Sequence, residues 1–197
     1  MRKNMIKHFY IFRHGQCPLN VSGHIQGQKF NGDLTPAGRL QAAHTGDILK
    51  NRQITLIISS PLKRALQTAL IVAGKIKSPI WIDKRFIEVN MGVVEGLHIS
   101  IVEKNYTELY EQWKNNKQGS TRFKGGETKA EVRRRILQAL NYYAECTPYR
   151  NIAISSHGIA ISQMMQYLGF DCHDVPNGAI LHLTYEPRSW QFVELIR

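Results

Sequence analysis

Phe9-Tyr10-Ile11-Phe12-Arg13-His14-Gly15 and, far later in the chain, Ile152-Ala153-Ile154-Ser155-Ser156-His157-Gly158 share one local plan. Each is a short apolar, strand-like run that stops abruptly at a His-Gly pair. If both strands lie in one parallel sheet, both imidazoles emerge at its carboxyl edge, where open α/β sheets bind their ligands. A histidine pair there, with Arg13 adjacent, suits an anionic group that must be both held and attacked. Phosphate fits that description best.

Working outward, short β-rich runs alternate with longer amphipathic segments, which predicts a layered α/β domain. The expected strands are Lys7–Arg13, Thr55–Ser59, Ile80–Ile82, Asn151–Ser155, Ala179–Tyr185 and Gln191–Leu195. The last two read as a pair joined by a turn around Pro187, so one sheet edge is expected to be antiparallel. Thr35-Pro36 and Ser60-Pro61 each pair a capping hydroxyl with proline at the first helical position. Thr128 and Glu131 make a capping box. Ile99, Val102, Tyr106, Leu109 and Trp113 recur at helical spacing, as do Val132, Ile136, Ala139, Leu140 and Tyr143. Between these helices, 115–126 is polar and Gly-rich and reads as a surface loop. One domain over 1–197 is the economical reading.

Lys and Arg number 26 against 15 Asp and Glu, a formal net charge of +11 that favours acidic partners. The basic residues are scattered apart from Lys129 and the run Arg133-Arg134-Arg135, which reads as a solvated helix face. Cys17, Cys146 and Cys172 are odd in number and fit no zinc spacing, which points to a reducing compartment. The basic start Met1-Arg2-Lys3 lacks the apolar stretch of a signal peptide, and no run approaches a membrane span, so the cytoplasm is the expected location. Neither a membrane nor nucleic acid is an expected partner; a small phosphorylated metabolite is.

His14 is the candidate nucleophile. Attack on phosphorus needs a free lone pair on one ring nitrogen, so the other must hold the proton, usually by donating to a backbone carbonyl that the turn at Gly15 could supply. Arg13 offers a planar fork that matches phosphate oxygens. Arg64 falls in the first turn of the helix expected after Ser60, where free backbone N–H groups already attract an anion. Taken alone, Arg-His-Gly reads as a satisfied histidine at a strand end, and Arg64 as a surface arginine paired with a carboxylate; the combination is what points to a site. Asn20 and Gln26 can donate side-chain hydrogen bonds to the same phosphate. Glu88, flanked by apolar Ile87 and Val89, is placed to protonate a leaving alkoxide. Its plainer role is to neutralise Arg64. His157 is a second phosphate ligand that stabilises the transition state, and Gly158 allows close backbone approach. No His-x-x-x-His or carboxylate cluster stands near either histidine, so no metal is expected. His8, His24, His44, His98, His173 and His182 read as surface or core residues.

Together these pieces resemble the histidine phosphatase superfamily, also called the phosphoglycerate mutase-like family. The resemblance runs in order through Phe12-Arg13-His14-Gly15-Gln16, Asn20, Gly23, Gln26-Gly27, Asp33-Leu34-Thr35-Pro36-Ala37-Gly38 and Gln41-Ala42. It continues through Ser59-Ser60-Pro61-Leu62-Lys63-Arg64-Ala65, Thr68-Ala69, Glu88, Gly92, Glu95-Gly96, Gly125-Gly126-Glu127-Thr128, Ser156-His157-Gly158 and Pro176-Asn177-Gly178. It implies a three-layer α/β/α sandwich with a mostly parallel sheet, and no metal or cofactor. It further implies His14 as the phosphorylated histidine, Arg13, Arg64 and His157 as the phosphate pocket, Glu88 at the acid/base position, and Asn20 and Gln26-Gly27 lining the phosphate. Cys17 departs from the family's usual Ser or Thr, Ile87 stands where phosphatase relatives often carry Arg, and Val94 replaces an aromatic. The loop Gln28–Gly32 is slightly longer than typical.

The expected activity is a phosphomonoesterase working by double displacement: His14 takes the phosphoryl group, Glu88 protonates the leaving oxygen, and water activated by Glu88 hydrolyses the phosphohistidine. The alternative is a 2,3-bisphosphoglycerate-dependent phosphoglycerate mutase. Such relatives carry a mid-chain insertion and a C-terminal tail over the site, whereas this chain ends soon after its last expected strand. A different class, a non-catalytic binder of phosphate ligands or nucleic acid, leaves the filled catalytic positions without purpose. A helical, lid-like insertion around 97–126 is expected to roof the site with the loop before Glu127, while aromatics Tyr106, Tyr110 and Trp113 at helical spacing are expected to serve the core.

Overall fold

Successive residues of a strand point to opposite faces, and Phe9-Tyr10-Ile11-Phe12 is apolar on both, so a strand built from it must be covered on each side. In the computed structural model, which describes residues 6–116, 118–170, 172, 174–186 and 188–196, it is. Phe9 and Ile11 join one buried cluster, Tyr10 and Phe12 another. The strands are β1 (Lys7–Arg13), β2 (Leu56–Ser59), β3 (Ile80–Ile82), β4 (Asn151–Ser156), β5 (Ile180–Glu186) and β6 (Ser189–Ile196). They form one six-stranded sheet in the order β3-β2-β4-β1-β5-β6. The pairs β2–β3, β2–β4 and β1–β4 are parallel, while β1–β5 and β5–β6 are antiparallel. Every expected strand is present within one or two residues of its expected ends. The turn expected around Pro187 lies outside the described residues.

The helices are α1 (Pro18–Val21), α2 (Pro36–Leu49), α3 (Lys63–Ile76), α4 (Ile99–Asn105), α5 (Thr107–Asn115), α6 (Lys129–Cys146) and α7 (Gly158–Tyr167). Leu49 of α2 and Ala69 and Val72 of α3 pack on Tyr10, Phe12 and Ile57. Val132, Ile136 and Leu140 of α6 and Ile161 and Met164 of α7 pack on Phe9, Ile11 and Ile154 across the sheet. That is an α/β/α sandwich. Each large side chain so buried contributes roughly 2–3 kcal/mol of hydrophobic stabilisation. No helix among the described residues is long and apolar enough to cross a membrane.

Three expectations need correction. Ser60 does not cap α3: Leu62 holds the N-cap position in extended backbone and the helix begins at Lys63. The residue before a proline avoids helical backbone, and the extended conformation persists through Leu62. The segment Ile99 to Trp113 is two helices, not one, broken at Tyr106 (φ −128°, ψ 28°). The Thr107 hydroxyl donates back to the carbonyls of Glu103 and Lys104 at the break, a local bond that competes with the helical ladder. Finally, 115–126 is not all surface loop, because Phe123 is buried between Tyr106 and Trp113.

Candidate active site

Strand pairing sets the site. Arg13 lies opposite Ser156 and Phe12 opposite Ser155 across β1–β4, and Ser59 lies opposite Ser155 across β2–β4. Three parallel strands therefore end in a row, and the residues that follow them, His14, His157 and Ser60, converge. The His14 and His157 rings are 5.1 Å apart between centroids.

His14 is almost fully buried, and its Nδ1 lies 2.7 Å from the Gly15 carbonyl oxygen. A carbonyl can only accept, so Nδ1 carries the proton and Nε2 keeps its lone pair. Onto that lone pair Arg64 Nε donates at 3.3 Å. Burial, then Arg64, then Arg13, hold the His14 pKa well below the usual histidine value, and the neutral ring is the form a nucleophile needs. The turn that supplies the carbonyl is tight. A Cβ on Gly15 would lie 2.2 Å from the Gly38 carbonyl oxygen in α2, so only glycine fits. Its N–H donates to Thr68 Oγ1 at 3.0 Å, and Asn177 Nδ2 donates to the His14 carbonyl at 2.8 Å.

Arg64 is 1% exposed, which excludes the surface-arginine reading. Its other two nitrogens donate to the Phe30 and Gly27 carbonyls at 3.0 and 2.8 Å. Gly27 adopts φ +52°, and a Cβ there would overlap the Glu95 carboxylate. That carboxylate gathers the N–H groups of Gln28, Lys29 and Met91, fixing the loop to which Arg64 is tied. Arg13 Nη1 donates to the Val175 carbonyl at 2.6 Å, while its Nε is buried without a hydrogen-bond partner among the described residues. A Cβ on Gly158 would lie 3.2 Å from the Arg13 guanidinium carbon, the close approach expected there.

His157 is fully buried and, unlike His14, contributes nothing to the wall of the adjoining cavity. Its Nε2 lies 2.7 Å from Ser60 Oγ, and its Nδ1 has no hydrogen-bond partner among the described residues. Burial and then Arg64 hold its pKa well below the histidine value, so the ring is neutral. With the Ser60 hydroxyl donating to Nε2, the ring proton sits on Nδ1. Asn20 and Gln26 present their amide oxygens to the Cys17 sulfur at 2.9 and 3.0 Å, which turns their NH2 groups the other way. Cys17 thus occupies the place of the family's hydroxyl as a weaker donor, with burial raising its thiol pKa.

Glu88 is buried, and its carboxylate does more than the sequence suggested. Oε1 accepts from Val89 and Ala160 N–H at 2.9 and 3.0 Å, and Oε2 from Ile159 N–H at 3.3 Å. Ile159 and Ala160 are in the first turn of α7, so Glu88 caps that helix from a distant stretch of chain. Its backbone is clamped as well. Arg135 donates to the carbonyls of Arg85, Ile87 and Glu88, and Gln28 Nε2 to that of Glu88 at 2.7 Å. Glu127 pairs with Arg135 and accepts from Asn90 N–H. The Arg133-Arg134-Arg135 run is therefore not a uniform solvated face. Arg135 falls three residues after Val132 and four before Ala139, on the apolar side of α6, and that position was the available signal for a buried partner. Ser60 had no comparable signal, because its partner His157 is brought to it only by strand order.

Arg13, His14, Asn20, Gln26, Gly27, Arg64, Glu88 and Gly158 line a single cavity of about 850 Å³. Two cations, two amides and an unprotonated imidazole nitrogen around one space suit a tetrahedral oxyanion. The two depressed histidines also set a pH dependence. In the unfolded chain they take up protons near pH 6.5, whereas the folded protein excludes them. Unfolding below that pH binds protons, so stability falls as pH drops. The slope is up to roughly 1.4 kcal/mol per pH unit for each ring. Urea unfolding at pH 7.5 and 5.5 should show this loss, and His157→Asn should make it shallower; equal slopes in the two proteins would contradict the buried neutral ring.

The histidine phosphatase superfamily (branch 1) model matches residues 9–196. Probable phosphoglycerate mutase GpmB from Yersinia pestis, and the protein of the same name from Yersinia pseudotuberculosis, are each 32% identical over 187 residues, covering 92% of this chain and 86% of the relative. Among solved structures, a mycobacterial glucosyl-3-phosphoglycerate phosphatase in complex with VO3 superposes with a TM-score of 0.87 at 22% identity, covering 95% of this chain and 98% of that one. The alpha-ribazole phosphatase of Shigella flexneri superposes at 0.82 with 24% identity and 95% of both chains covered. At those identities the structures speak to the fold, while the model and the Yersinia relatives extend the agreement to the sequence. The chain belongs to the histidine phosphatase superfamily.

Proposed function

We propose that this chain is a phosphomonoesterase that works through a phosphohistidine on His14. The observation that carries the reading is the fixed tautomer: Nδ1 is anchored to the Gly15 carbonyl, leaving the Nε2 lone pair beside the Arg64 guanidinium. On binding, a phosphate oxygen takes the Arg64 Nε hydrogen bond, which frees Nε2 to attack phosphorus as the P–O bond to the leaving group breaks. The Arg13 Nε and His157 Nδ1 donors, both buried without partners, face charge that grows on the transferring group. Preorganised donors of this kind supply most of the barrier reduction in phosphoryl transfer. Glu88 delivers a proton to the leaving oxygen and then takes one from the water that cleaves the N–P bond, regenerating His14 and releasing phosphate.

Two of the solved neighbours are phosphatases by name, which supports hydrolysis. The Yersinia relatives carry a mutase name, which keeps phosphoglycerate mutase as the second reading. Supplying 3-phosphoglycerate with 2,3-bisphosphoglycerate and following isomer against inorganic phosphate separates the two; phosphate is the expected product. Glu88→Gln tests the proton transfer. It should slow an alkyl phosphate by roughly 10²–10⁴-fold while affecting formation of nitrophenolate from p-nitrophenyl phosphate far less, since that leaving group needs no proton. An equal loss on both esters would remove Glu88 from leaving-group protonation.

A further inference from the structure

The cavity is far larger than a phosphate group and continues to Trp113, Lys114, Lys129, Arg133 and Gln163. Four observations there remain unexplained by phosphoryl transfer. Lys129 is largely buried, with its ammonium 4.4 Å from the centre of the Trp113 ring and donating to the Lys114 carbonyl at 3.0 Å. Among the described residues no carboxylate lies within ion-pair distance of it, and the charge beside it is Arg133, one helical turn on. Both cations stand in the first turns of α6, an 18-residue helix whose dipole disfavours positive charge at that end. Lastly, Trp113 Nε1 and Gln163 Oε1 are buried without hydrogen-bond partners, in residues 8% and 3% exposed that both line the cavity. A desolvated cation pair at the wrong end of a helix, with an orphan donor and an orphan acceptor nearby, costs stability in the folded chain. A ligand carrying a second negative charge relieves each cost.

Resting on the phosphatase reading, we propose that the leaving group is itself an anionic, hydroxylated molecule. Its carboxylate or second phosphate is held by Lys129 and Arg133 with Trp113 Nε1, and a hydroxyl donates to Gln163 Oε1. The substrate class is thus a phosphomonoester of a hydroxy acid or polyol phosphate, not of a neutral alcohol.

The test compares kcat/KM for three small esters: glycerol 3-phosphate, whose leaving group is neutral, 3-phosphoglycerate, and 2,3-bisphosphoglycerate. At least one anionic ester should exceed glycerol 3-phosphate by about tenfold or more, and which one does tells carboxylate from phosphate. Lys129→Met and Arg133→Gln should each shrink that ratio, chiefly through KM. Calorimetric binding of the same esters to His14→Ala gives a second readout that needs no turnover, and Lys129→Met in that background should erase the preference. Equal kcat/KM and equal affinity for neutral and anionic esters would overturn the anion subsite while leaving the phosphatase reading intact. Absence of phosphate release from all three and from p-nitrophenyl phosphate would overturn both.

Discussion

Replacing His14 with alanine is expected to lower turnover by roughly four orders of magnitude or more, the scale seen when a covalent nucleophile is lost. The remaining residues still form a cationic cradle, so the variant should bind phosphate or vanadate while failing to turn over. Thermal stability should change little in comparison, because the ring is a desolvated polar group held by one carbonyl. Phosphate release assayed under saturating p-nitrophenyl phosphate checks this. A variant that keeps a tenth of wild-type kcat would require a different nucleophile, or none.

The second large effect is structural and acts on the same residue from behind. Gly15→Ala sets a methyl group 2.2 Å from the Gly38 carbonyl oxygen and 2.8 Å from its carbon, atoms that belong to the backbone of α2 and have no rotamer to escape into. The reverse contact is as close, since a Cβ on Gly38 would meet the Gln16 carbonyl oxygen at 2.0 Å. Relief requires the turn to lift off the helix, breaking the Gly15 N–H bond to Thr68 and shifting the carbonyl that fixes the His14 tautomer. Overpacking of this kind costs about 3 kcal/mol. At this chain length that is roughly 6–12 °C in Tm. Calorimetry should record that loss with activity falling further than stability; a native Tm with native kcat would mean that the turn yields freely.

Much of this was legible in the residues themselves. The apolar runs located all six strands because a buried strand needs both faces covered, and the motif glycines marked where the chain had to pass close to itself. Arg13, His14, Arg64 and Glu88 could be read because their neighbours fix them at strand or helix ends. What escaped was whatever depends on contacts between distant segments. Ser60 reads as a helix cap in isolation and becomes the partner of His157 only when β2 and β4 lie side by side. Glu88 reads as a lone acid, yet α7 supplies its hydrogen bonds. Arg135 was hidden in a charge run whose other members answer to different surroundings. The break at Tyr106 escaped because its apolar spacing is the same whether the two helices are continuous or not.

The central claim is that His14 becomes covalently phosphorylated, and rapid quenching of Glu88→Gln with p-nitrophenyl phosphate tests it most directly. That ester transfers its phosphoryl group without a proton donor, whereas cleavage of the intermediate by water loses its base, so the intermediate should accumulate. The account predicts a burst of nitrophenolate matching the enzyme concentration, with one phosphoryl group on the peptide containing His14, stable in alkali and lost in acid. Steady phosphate release with no burst and no phosphoryl group on that peptide at any time would contradict it.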